Sequence, residues 1–194
     1  MSAFSKFEQT MHDAGSWVVI FAKAPVAAVS NVYERMMGCV IEHDVAVKAQ
    51  KKQWILPSGY LVGVRDSDWT VVLHRLGEWE QVDGASMASQ LSASVVVFEG
   101  EGTSGTVQCF SYEIDGTEKR FQTPHDADCE DEEFHDGSLE PAERVESYHK
   151  YFQSLGIVPV LLTYNDAGAV LATPDDHQRI SSVSRVRTAA GGDG

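Results

Sequence analysis

Four side chains have the chemistry of a hydrolytic site: Ser58, Ser104, His74 and His149. A serine becomes a nucleophile when an adjacent imidazole takes its proton and a third group orients that imidazole. Nothing in the local sequence ties these four together. No Gly-x-Ser-x-Gly turn presents a serine at a strand–helix corner. His74 closes an apolar, strand-like run, and His149 lies on a helical pattern between Tyr148 and Tyr151. Both histidines read as packing or surface residues. With 29 Asp and Glu in the chain, a pair of carboxylates can always be chosen, so a glycosidase-type pair carries no information. No catalytic residue is assigned.

Two further stretches invite a ligand. Gly100-Glu101-Gly102-Thr103-Ser104-Gly105 has the glycine density of a phosphate loop. It lacks the Gly-Lys-Ser/Thr that grips phosphate, and a strand follows where a helix is needed. Glu99 and Glu101 would repel an anion, so a hairpin connection is expected. In the run from 125 to 140, Asp126, Asp128 and Glu130 alternate as calcium ligands do. Asp131 then occupies the sixth position, where that loop requires Gly, and Gly137 the twelfth, where it requires Glu. His125 and His135 supply imidazoles without the Cys/His spacing of a structural zinc site. No metal and no cofactor is assigned.

The clearest functional signal is charge. The 194 residues carry 15 Lys and Arg against 29 Asp and Glu, a net charge of -14. That sign disfavours nucleic-acid backbones and anionic membranes and suits a basic protein partner. Eight of the acidic residues fall between 125 and 140, where there is no Lys or Arg. Repulsion among them, with only Phe134 and Leu139 as apolar anchors, predicts an exposed, mobile loop. Trp79 lies between Glu78 and Glu80, and an aromatic in such a setting is an interface anchor. The expected partner-binding set is therefore Trp79, Asp126, Asp128, Glu130, Asp131, Glu132, Glu133 and Phe134. Trp54 and Trp69 read as core.

These features favour a non-catalytic acidic binding protein, an immunity-like or inhibitory partner of a basic protein. Bacterial immunity proteins supply the analogy through charge and size alone. One alternative is a small hydrolase or metal-assisted enzyme, with its site assembled from distant His and Asp/Glu residues. Another is a structural or assembly component. Cys39, Cys109 and Cys129 are too few and too dispersed for a disulfide framework, which predicts a reducing, cytoplasmic setting. No basic region followed by a long apolar run opens the chain, and no segment has the length of a membrane span.

The elements that would position any site follow from hydrophobic period. Strands are expected at 16–22, 60–64, 69–74, 94–98, 106–114 and 118–122, with looser candidates at 40–47, 157–164 and 169–172. Val26, Val29, Val32, Tyr33 and Met36 form a helical stripe closed by Gly38, and 3–13, 85–91 and 141–155 also read as helical. Lys48 to Lys52 reads as a connection. Asp115-Gly116 predicts a tight type I′ hairpin turn, and Glu118 to Gln122 a charged edge strand. Thr173-Pro174-Asp175-Asp176 has the form of a helix start. Beyond it Ile180, Val183 and Val186 keep a spacing of three, as a helix would, with an extended segment as the alternative. The expectation is one α+β domain over 1–188, ending in a disordered tail at 189–194. Its central sheet is mostly antiparallel, with a mixed one allowed, and has about six to seven strands with four to five helices packed against it.

Overall fold

The computed structural model describes residues 17–50, 59–74, 83–101, 106–115, 117–122, 150–164 and 169–188. The chain is α+β, as its patterning predicts. Among the described residues the main sheet has eight strands, β1 (Trp17–Ala22), β2 (Cys39–Glu42), β4 (Tyr60–Val64), β5 (Thr70–His74), β6 (Val95–Glu101), β7 (Thr106–Tyr112), β8 (Glu118–Gln122) and β11 (Ile180–Thr188). They lie in the order β2-β11-β4-β5-β1-β6-β7-β8, and every neighbouring pair is antiparallel. A second sheet holds β3 (Val47–Ala49), β10 (Val170–Ala172) and β9 (Thr163–Tyr164), with β10 parallel to β3 and antiparallel to β9. Four helical segments accompany the sheets among the described residues: α1 (Val26–Met37), α2 (Gly84–Leu91), α3 (150–154) and α4 (Pro174–Arg179). None of these helices is long and apolar enough to cross a membrane.

The continuous apolar run of β1 is explained by its place. It lies between β5 and β6, with both faces covered. Trp17, Val19 and Phe21 point to one face, Ile20 and Ala22 to the other. On the first face Phe152 of α3, the extended segment from Ile157 to Leu162, and Val170 and Ala172 of β10 complete a core with Val62, Val71, Val96 and Phe98. On the second, Val29, Val32 and Tyr33 of α1 and Met87 and Ala88 of α2 pack over Leu61, Val72, Val95 and Val97. The described residues thus form three layers: two helices, the large sheet, and a mixed layer of α3 and the small sheet.

Local chemistry sets the ends of these elements. Gly38 terminates α1 at φ +59, the left-handed conformation a Cβ would penalise. Asp83 caps α2, its Oδ1 accepting the Ser86 N–H at 2.9 Å. Thr173 caps α4 in the same way, with Pro174 in the first turn. β8 is the last strand in the sheet order, as its charged composition predicts.

Several expectations are corrected. The run 40–47 is not one strand: Glu42-His43-Asp44 is exposed, Asp44 turns the chain at φ +58, and β2 and β3 go to different sheets. Lys48 and Ala49, the start of the stretch expected as a connection, therefore belong to β3. Between 157 and 164 only Thr163 and Tyr164 pair as strand, and the apolar run before them is buried extended chain. The Asp115-Gly116 turn is longer than type I′. The Glu113 N–H donates to the Thr117 carbonyl at 2.9 Å, enclosing three residues, and Asp115 Oδ1 accepts the Thr117 N–H. Ile180 and Val183 belong to a strand. A bulge between Ile180 and Ser182 returns both side chains to one face, which imitates a helical spacing. The helix expected at 3–13, most of that at 141–155, and the tail lie outside the described residues.

Candidate functional site

A cleft of about 620 Å³ lies across one end of the large sheet, in the size range of small-ligand sites. Four adjacent strands deliver its wall. β1 ends and runs through Lys23, Ala24 and Pro25 into α1. β4 ends at Gly63 and Val64, β5 begins after Asp68 and Trp69, and β6 begins after Ser94. Three hydrogen bonds fix this rim. Thr70 Oγ1 donates to the Ala24 carbonyl at 2.7 Å, the Lys23 N–H donates to the Ser94 carbonyl at 2.9 Å, and the Trp69 N–H donates to Ser67 Oγ at 3.2 Å. Asp66 makes the preceding turn at φ +54, a conformation Asp tolerates better than most residues.

Trp69 borders the cleft but its side chain is buried in the core on the α3 side, its indole N–H donating to the Leu155 carbonyl at 3.0 Å. Ile114, at the tip of the β7–β8 hairpin, is a rim residue and remains 67% exposed. Lys23 and Asp68 bring opposite charges to the same cleft. The side chains of both are without an ion pair or hydrogen bond among the described residues.

Behind Ser94 lies a polar network. Ser94 Oγ donates to Glu113 Oε2 at 2.6 Å, and the Tyr151 hydroxyl donates to Glu113 Oε1 at 3.0 Å. Ser111, fully buried in β7, shares a 2.7 Å hydrogen bond with the same hydroxyl. Burial pushes the Tyr151 phenol up; the Ser111 contact opposes this, and the Glu113 carboxylate adds to it. The network holds α3 against β7 beside the cleft.

The histidines fall elsewhere. His74 is buried at the end of β5, where its Nδ1 shares a 2.7 Å hydrogen bond with the Tyr33 hydroxyl of α1. The two rings meet edge to face, 6.0 Å between centroids. His43 is exposed and its Nδ1 lies 3.1 Å from the buried Ser184 Oγ on β11. Among the described residues the cleft lining carries Asp68 but no histidine. No three His, Cys, Asp or Glu side chains converge on one point among the described residues. Cys109 is buried in β7, and burial raises its thiol far above the ordinary range; Cys39 is half-buried and raised chiefly by the same cause.

Trp79, Asp126, Asp128, Glu130, Asp131, Glu132, Glu133 and Phe134 all lie outside the described residues, as do Ser58, Ser104, His125, His135 and His149. The sequence reading did not single out Lys23, Asp68 or Ile114. Asp66-Ser67-Asp68 carries no motif of its own; what makes it a wall is the strand order that sets it beside Lys23 and Ser94. No protein-family model matches the chain, and neither a curated protein nor a solved structure is similar to it at a significant level.

Proposed function

We propose that this chain is a non-catalytic binding protein that engages a basic protein partner, with an inhibitory, immunity-like role as the form of that function its size and charge best fit. The carrying observation is the imbalance of 29 acidic against 15 basic residues, concentrated at 125–140. A field of that sign accelerates encounter with a cationic surface and repels nucleic acid. Trp79 and Phe134 supply the apolar contacts that charge alone does not, since aromatic anchors carry much of the energy of an interface.

The test is capture of basic partners at two ionic strengths, about 0.1 M and about 1 M, between which the screening length falls from about 10 Å to about 3 Å. Association is expected to slow by at least tenfold at the higher salt, within the roughly 10- to 1000-fold span of electrostatic steering. Replacing Glu130, Asp131, Glu132 and Glu133 by Lys should abolish capture at low salt. Capture indifferent to both changes refutes the reading.

A further inference from the structure

The cleft at the strand ends has a use separate from the acidic segment. Ala22 pairs with Thr70 in the β1–β5 ladder, so Lys23 and Asp68 leave the same end of two adjacent strands. They bear opposite charges, face one cleft, and pair with neither each other nor any other described residue. Adjacent opposite charges on a surface ordinarily approach one another; these two do not, and neither side chain has a partner among the described residues. The lining between them includes apolar Ala24, Val26, Val64 and Ala93, and Ile114 stands exposed at the rim.

We propose that this cleft binds a zwitterionic ligand of amino-acid chemistry, one that carries an ammonium, a carboxylate and an apolar side chain. The ammonium pairs with Asp68, the carboxylate with Lys23, and the side chain lies along the apolar lining against Ile114. The cleft volume of about 620 Å³ admits a free amino acid or a short peptide with free termini. A purely cationic or purely anionic ligand would leave one of the two charges unmatched, which is the basis of selection. This inference goes beyond the basic-partner reading and does not depend on it.

The experiment is amide chemical-shift titration of the intact chain with leucine, leucyl-leucine, N-acetyl-leucine and leucinamide at millimolar concentration. Saturable shifts are expected at the amides of Lys23, Ser67, Asp68 and Trp69 with the first two probes. The probe with the lower Kd identifies the source as free amino acid or peptide terminus. Blocking either end of leucine should weaken binding by roughly three- to tenfold, as loss of one partly solvated charge pair does. Asp68→Asn should erase the penalty for acetylation and keep that for amidation; Lys23→Gln should do the reverse. Both residues are on the surface, and an unchanged pattern of distant amide shifts checks that the variants fold. No saturable shift with any probe overturns the proposal, and so does equal binding of all four. Neither variant should alter salt-dependent capture of a basic protein, so this proposal and the preceding one fail separately.

Discussion

Phe152→Ala tests whether the third layer is integral to the fold. The Phe152 side chain is 0% exposed and joins α3 to the centre of the sheet. Its ring centroid lies 5.7 Å from Phe21 on β1 and 5.5 Å from Phe98 on β6, both in edge-to-face geometry, and Phe98 is itself 4.7 Å from Trp17. Removing the ring loses its transfer free energy and leaves a cavity between these aromatics. Buried Phe→Ala changes cost about 3–5 kcal/mol, including roughly 0.5–1.5 kcal/mol for each edge-to-face pair. Against a total stability of about 5–15 kcal/mol, that is a large fraction. With a urea slope of about 2 kcal/mol per molar, a loss of about 4 kcal/mol moves the unfolding midpoint down by about 2 M. Near-UV circular dichroism is the readout, since Trp69, whose indole N–H is held by the Leu155 carbonyl, reports on the same layer. Phe152→Leu retains much of the volume and should lose less than half as much. A midpoint shift below about 0.5 M, equivalent to about 1 kcal/mol, would show that this layer contributes little to the core and would refute the three-layer account.

Two other perturbations probe the sheet itself. Gly100 on β6 faces Trp17 on β1, and a Cβ there would lie 2.6 Å from Trp17 Cε2, so Gly100→Ala should destabilise by about 1–3 kcal/mol; an unchanged urea midpoint contradicts that packing. Burial holds the Glu99 carboxyl above the ordinary glutamate range, so the folded chain keeps this proton to higher pH than the unfolded chain does. Its contribution to stability therefore falls as pH rises from about 4.3, the ordinary glutamate value, through the raised one. Glu99→Gln should raise the midpoint at pH 7 and flatten the profile above that value; parallel profiles for the two proteins would disprove the assignment.

What could be read from the sequence was what local chemistry decides. The stripe from Val26 to Met36, the stop at Gly38, the helix start at Thr173-Pro174 and the hairpin of β4 and β5 each depend on residues a few positions apart. The failures share a cause. Ile180 and Val183 look helical because a bulge adds one residue to a strand, and only the partner strand β4 reveals the insertion. The Ile157–Leu162 run is apolar enough for a strand, yet its neighbours are side chains of the core rather than a backbone ladder. The cleft is harder still: Lys23, Asp68, Ser94 and Ile114 are scattered over 92 positions and meet only because β1, β5, β6 and β7 lie side by side. Single residues of such a site carry no periodic signal.

The position of β11 has a consequence for how the chain is made. β11 is the last strand among the described residues, yet it is inserted between β2 and β4. During synthesis from the N-terminus, β2 and β4 therefore leave the ribosome long before the segment that joins them. Until residues 180–188 emerge, β4 presents an unpaired row of backbone N–H and C=O groups, and β2 has no partner in the large sheet. Closure of that half waits on residues 180–188 and depends on contacts of high sequence separation, which form slowly. A nascent or proteolysed product stopping short of Ile180 would offer the bare side of β4 to other chains, so for this topology premature termination is an aggregation hazard as well as a loss of residues.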